Sequence, residues 1–308
     1  MAYPNTATLV TFPSGTVHGG STVVAAMPLP GGVVGLVTDT TPFHPLDHSW
    51  PDQPGDSGTV EFDTVDADTG EFRGARYPVV DCVIGAVSPQ GEFLLGEEIP
   101  VRRGDPEWVW LVVHLAELRE MDEAGAAAQE LVGRAVVLRA DVERRAALSA
   151  AHTGCHLLAL ALNEALAERW RKQARSDALG SPDFDALAMV SSRMDEHAST
   201  DRYRIGKSLR KQGFDPEGLG DALAGVTTRV NARLAGWIAA DAPVRVEAPG
   251  PELTARRRWV CELPEGTASI DCGGTHVARL GELSSLTTSL SLSGDGTELV
   301  AVTVPKRT

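Results

Sequence analysis

The rhythm of hydrophobic and polar positions changes part-way along the chain. Up to about residue 115 the apolar residues come in short runs: "ATLVTF" (7–12), "STVVAAM" (21–27), "GVVGLVTDT" (32–40), "GTVEFDTVD" (58–66), "YPVVDCVIGAV" (77–87) and "WVWLVVHL" (108–115). Clusters of Gly, Pro and Asp such as "PLPGG" and "DADTG" separate them. β-Branched and aromatic residues bounded by turn formers predict strands. Several short strands at this spacing predict a small barrel or sandwich.

The period then lengthens. "MDEAGAAAQELVG" (121–133) predicts a short helix, and "RAVVLRADVERRAALSA" (134–150) begins as a strand and turns helical. An Ala- and Leu-rich pattern with apolar residues at helical steps continues to about Lys172. The polar segment 173–215 gives no clear element. "PEGLGDALAGVTTRVNARLAGWIAADAP" (216–243) predicts one amphipathic helix, opened by Pro216 and stopped before Pro243. "VRVEAP", "RRWVCEL", "ASIDC", "LTTSLSLSG" and "TELVAVTVP" then read as strands. The fold class expected is α+β: a β-rich domain over 1–140, then a domain over 141–308 with helices against an antiparallel sheet.

Composition narrows this picture. A chain of 308 residues, 43% hydrophobic and 23% charged, suits two soluble domains. No apolar run reaches membrane-spanning length, and the start lacks a basic region followed by an apolar one. The expectation is a cytoplasmic protein with no membrane partner. Four cysteines in a chain this long argue against a disulfide scaffold and leave a cysteine available as a metal ligand. The net charge of −14 has the wrong sign for general nucleic-acid binding. Two basic stretches stand out against it: "RYRIGKSLRK" (202–211), with Arg204, Lys207, Arg210 and Lys211, and "TARRRW" (254–259). Either could hold phosphates or form a solvated face.

The candidate chemistry lies in "AHTGCHLLALALN" (151–163) and "IDCGGTHVARLGEL" (270–283). His152 and His156, four apart on an expected helix, share one face. Cys272 and His276 flank a Gly-Gly-Thr turn. Together they make the nitrogen and sulfur set that a single tetrahedral Zn2+ prefers. His-x-x-x-His alone is weak, since a histidine on an apolar helix is more often a core residue. The second pair strengthens it. Thr153 stands where the glutamate general base would be, so this is not the His-Glu-x-x-His motif of zinc proteases. Cys155 faces another way on the helix and reads as core packing.

"HTGCHLL" and "CGGTHV" resemble the two zinc motifs of the alanyl-tRNA editing family, which comprises stand-alone editing proteins and the editing domain of alanyl-tRNA synthetases. Threonyl-tRNA synthetases carry a related domain. "TTPFHP…WPDQPGDSGTV" (40–60) resembles the family's N-terminal signature, ending in Gln-Pro-x-Asp-x-Gly. "DVERR" (141–145) matches its Asp-x-x-x-Arg element, and "VNARL…APVRVE" (230–247) the approach to the second zinc motif. The likeness covers most of the chain and is poor over 173–215. It implies a translation-factor-like β-barrel followed by a zinc-binding editing domain. It also implies hydrolysis of the ester joining serine or glycine to alanine tRNA, with His152, His156, Cys272 and His276 as ligands. Thr153 is a candidate to bond a serine hydroxyl. Arg204, Lys207, Arg210 and Lys211, with Arg256, Arg257 and Arg258, are candidate phosphate contacts at the tRNA acceptor end.

The chain departs from the pattern in three places. Trp50, Pro51 and Asp52 stand where family members carry glycines, so the 44–56 loop has another shape. That loop brings His48, Trp50, Asp52 and Gln53 as candidate substrate contacts, while Asp47 and Asp56 read as residues of a solvated turn. Ala178 and Leu179 replace a family glutamine, and the two zinc motifs lie unusually far apart. These differences keep an alternative open: transfer of an aminoacyl group to a small-molecule acceptor, or cleavage of an aminoacylated metabolite. A structural zinc site in a binding module is a third reading.

Overall fold

A computed structural model describes residues 3–65, 72–118 and 128–308. The chain is mixed helix and sheet, as the α+β expectation has it. The "DADTG" turn and most of the short helix expected over 121–133 fall outside the described residues. No helix among those described is long and apolar enough to cross a membrane. Two compact units form, Met1–Arg145 with Ala248–Arg256, and Ala146–Glu247 with Arg257–Thr308.

The first unit is built from β1 (Leu9–Val10), β2 (His18–Leu29), β3 (Val33–Thr38), β4 (Thr40–Thr41), β5 (Gly58–Val65), β6 (Phe72–Val87), β7 (Phe93–Leu95), β8 (Val109–Glu117) and β9 (Ala135–Ala140). Seven of them form one sheet in the order β5-β9-β2-β3-β8-β6-β7, and a further β5–β6 pairing closes part of it into a ring. The strand expected over 7–12 is reduced to β1, paired with β4. Pro13 has no N–H to give a ladder and lies in a 3-10 turn, Phe12–Ser14. Alternating positions from these strands, among them Val23, Leu36, Val60, Phe62, Ile84 and Leu138, make one buried core.

A buried histidine sits among them. His114 on β8 is wholly inaccessible. Its Nδ1 lies 2.9 Å from Leu36 O, which only accepts, so Nδ1 carries the proton. Nε2 therefore accepts from the Thr41 hydroxyl at 2.8 Å, and Thr41 Oγ1 accepts from the Phe43 N–H at 3.0 Å.

The 44–56 loop is not the solvated turn its acidic residues suggested. Asp56 is 1% exposed and pairs through both carboxylate oxygens with the buried Arg145. It also accepts from the His44 N–H at 2.5 Å, while Arg145 donates to Pro42 O at 2.7 Å. Asp47 pairs with Arg103 at 2.7 Å and accepts from the Ser49 N–H. Burial acts to raise its pKa, but Arg103 and Ser49 outweigh this and hold it below the usual carboxylate range. The resemblance motifs gain a physical meaning here. Asp141 caps helix α1 (Val142–Ala165) by accepting from the N–H groups of Glu143 and Arg144, and Arg145 one turn later reaches Asp56. Gly58 closes the motif because a Cβ there would lie 2.1 Å from Arg139 O.

The second unit takes the rest of α1, then α2 (Phe184–Ala188), β10 (Met189–Met194), β11 (Ser199–Arg204), α3 (Lys207–Lys211), α4 (Leu219–Ala240), β12 (Val244–Glu247), β13 (Arg258–Leu263), β14 (Gly266–Asp271), β15 (Leu283–Leu292) and β16 (Glu298–Arg307). Two sheets form, β10-β11-β16-β15 and β12-β13-β14, all antiparallel. Leu157, Leu158 and Leu162 of α1 share a core with Val230, Leu234 and Trp237 of α4 and with Leu286 and Leu299 of the sheet. Asn231 fixes α4 to β15 by donating to Thr288 O and accepting from its N–H, both at 2.8 Å.

Two differences from expectation have local causes. The helix predicted to reach Lys172 ends at Ala165. Arg229 takes up Ala165 O at 3.0 Å, and Trp170 turns aside to meet Phe214, their rings 5.4 Å apart. The segment 173–215, silent in sequence, holds α2, β10, β11 and α3. Its strands bury Ser192, Ser199, Asp201 and Tyr203, so polarity hides the inward face. Burial, with the charges of Asp201, Asp183 and Asp177, pushes Asp185 up to about 7 against the lowering effect of the bond from Tyr203.

Burial lowers the His114 pKa from 6.5 to about 4. The folded value lies below the unfolded one, so the unfolded chain binds more protons between them. Stability from neutral His114 is full above pH 6.5 and is lost as the pH falls towards 4, in total on the order of 3 kcal/mol. Denaturant unfolding across this range will show a shallower loss for His114→Gln than for the parent protein. Equal slopes would refute the assignment.

Candidate metal centre

Helix α1 presents His152 and His156 one turn apart, ring centroids 5.0 Å from each other. The loop leaving β14 presents Cys272 and His276. One ligating atom from each of the four lies within 4.8 Å of every other, so the group could hold a metal ion. Cys272 Sγ is 3.2 Å from His152 Nε2 and 3.3 Å from His276 Nε2. Bond lengths of about 2.0–2.3 Å to a tetrahedral zinc ion imply ligand separations of roughly 3.3–3.6 Å, close to these. His156 Nε2 is buried and has no hydrogen-bond partner. A buried imidazole nitrogen in that state lacks about one hydrogen bond's worth of stabilisation, which a metal bond supplies.

Protonation favours ligation. Burial lowers the His152 pKa to about 3, and burial, with the repulsion that charging two neighbouring rings would bring, takes His156 well below 6.5. Both rings are neutral near pH 7 and offer a lone pair. The Gly274 N–H donates to Cys272 Sγ at 3.4 Å.

The surroundings fix the ligands in place. Thr153, fully buried, has its Oγ1 3.2 Å from His276 Nδ1 and accepts from the Val277 N–H at 3.2 Å. If His276 ligates through Nε2, its Nδ1 carries the proton and Thr153 receives it, which sets the ring's tautomer and orientation. The Ser149 hydroxyl donates to Thr275 at 2.8 Å and ties the Gly-Gly-Thr turn to α1. The Cys272 N–H donates to Arg257 O at 3.0 Å. Trp259 walls the group, its ring 5.2 Å from that of His156 and 6.2 Å from that of His276. Ser149, Thr275 and Trp259 were missed in the sequence, where nothing distinguishes them from core residues.

Cys155 stands outside the four-residue group and its thiol donates to His152 O at 3.1 Å. Arg204, Lys207, Arg210 and Lys211 all lie in the second unit, exposed and without an ion pair among the described residues. Arg257, by contrast, is only 3% exposed, so its side chain is no part of a solvated phosphate-binding face. His48, Trp50, Asp52 and Gln53 belong to the first unit. Trp50 is exposed, Gln53 is buried, and Asp52 accepts from the Gln53 N–H at 2.7 Å.

A scan against protein-family models and a search of curated proteins found no match to this chain.

The role of Thr153 is open to measurement. Thr153→Val keeps the shape but removes the acceptor for His276 Nδ1–H. Metal affinity of the folded variant, read by competition with a chromophoric chelator, should fall about 10–100-fold, while the metal-free protein loses about 1–3 kcal/mol of stability because the Val277 N–H is left unpaired. Unaltered affinity would show that His276 needs no such support.

Proposed function

We propose that this protein is a zinc-dependent aminoacyl-ester hydrolase of the alanyl-tRNA editing kind, removing serine or glycine from mischarged alanine tRNA. The observation that carries the reading is the convergence of His152, His156, Cys272 and His276, the residues of the two motifs that resemble that family. The partial ring of strands in the first unit supports the translation-factor-like barrel the resemblance implies, with an editing-like domain after it.

An aminoacyl ester is already activated, and a bound zinc ion would supply Lewis acidity towards its carbonyl or towards water. The protein's own contribution is to exclude bulk water and hold the ligands rigid. His152 is buried by the α1 packing, Thr153 and Ser149 brace the opposing loop, and Trp259 closes one side. Arg204, Lys207, Arg210 and Lys211 form the basic surface offered to the acceptor-end phosphates, positive against a chain of net charge −14. That acidic balance, with the altered 44–56 loop, favours a second reading: the same carbonyl chemistry with a small-molecule amine in place of water.

Purified, zinc-loaded protein should rapidly release serine from Ser-charged alanine tRNA and spare Ala-charged tRNA. His276→Ala should fall to the uncatalysed rate. Absence of serine release beyond that variant would sink the editing reading. Release that requires an added amine, with the aminoacyl group recovered on it, would establish the second.

A further inference from the structure

Helix α1 carries a glycine in its interior, midway between two of the metal-ligand candidates. Gly154 is buried and lies two residues from His152 and two from His156. Glycine at such a position destabilises a helix relative to alanine, because it gives up more backbone freedom on folding. Crowding explains its presence. A Cβ on Gly154 would lie 3.0 Å from Leu286 Cδ1 and 3.5 Å from Thr303 Cγ2. The glycines of α4 are not crowded in this way: Gly236 meets nothing within 4 Å, and Gly220 and Gly225 meet nothing closer than 3.7 Å.

The surface beneath Gly154 is braced. Leu286 of β15 is 3% exposed and belongs to the core shared by α1, α4 and the sheet. Thr303 of β16 is buried, its Oγ1 2.9 Å from that of Thr288, and Asn231 holds the Thr288 backbone. Direction matters as well. At about 100° per residue, position 154 points opposite to the mean direction of positions 152 and 156. The sheet therefore lies behind α1 and the ligand group in front of it. Cys272 is anchored separately, its N–H donating to Arg257 O at the entry to β13. The depth at which α1 seats on β15 and β16 thus sets the 3.2 Å separation of His152 Nε2 from Cys272 Sγ.

We propose that Gly154 is a positioning residue for the metal centre: its missing side chain lets α1 seat at the depth that brings His152 and His156 to bonding reach of the point they share with Cys272 and His276. A side chain at 154 would push the helix towards that point by a few tenths of an ångström. Such a shift is enough to matter, because metal–ligand distances tolerate only about 0.2 Å. The role depends on metal binding by the four residues and not on the reaction assigned to them.

Zinc affinity of the full chain, read by competition with a chromophoric chelator, tests it in a double-mutant cycle. Leu286→Val removes both methyl groups that a Cβ at 154 would meet. Folded Gly154→Ala should bind zinc about tenfold more weakly than the parent. Leu286→Val should stay within about twofold of the parent, and the double variant should return to within about threefold. A purely structural glycine would instead change the unfolding temperature of the metal-free protein and leave the affinity of the folded chain alone. If Gly154→Ala does not fold, the double variant should fold and bind zinc. A parent protein that binds no zinc would remove the metal centre and this role together. Parent-like affinity in Gly154→Ala, or a loss of binding or folding that Leu286→Val does not recover, would overturn the role of Gly154 alone.

Discussion

The second unit is organised around one constraint: two imidazoles from a helix and an imidazole and a thiol from a loop must converge within bonding reach of a single point. Residues 152 and 276 are far apart in sequence, and the helix α4 and the strands between them share one core with α1. The helix supplies the i and i+4 spacing without cost, because it is stabilised by its leucines and not by its histidines. The loop is harder. A Gly-Gly-Thr turn has many conformations, and here Ser149, Thr153 and the backbone at Arg257 restrict it to one. A ligand set held in place in this way leaves little ordering to be done when a metal ion binds.

The first unit depends on a different lock, the buried pair of Asp56 and Arg145. Removing either charge would strand the other, which typically costs about 3–5 kcal/mol. Through Pro42 O and the His44 N–H the same pair also shapes the start of the 44–56 loop.

Much of this was legible in the sequence, for physical reasons. The four-residue group could be read because His-x-x-x-His on a helix puts both rings on one face and Cys-x-x-x-His supplied the complement that the pair alone lacked. Most strands of the first unit could be read from β-branched runs between turn formers. The strands β10 and β11 could not, since Ser192, Ser199 and Asp201 turn polar side chains inward and the alternation that marks a strand loses its contrast. Asp47, Asp56 and Arg257 were misread for one shared reason. A charged residue looks solvated until its partner is known, and the partners of Asp47 and Asp56 lie 56 and 89 residues away. The end of α1 was likewise set by tertiary contacts at Arg229 and Phe214, which no local pattern announces.

The central claim is that these four residues bind one zinc ion. X-ray absorption at the zinc edge on the purified, zinc-loaded protein tests it most directly. The account predicts one zinc per chain with a single sulfur neighbour at about 2.3 Å and three imidazole nitrogens at about 2.0–2.1 Å. Zinc that fails to remain bound, or a coordination shell without sulfur, would contradict it.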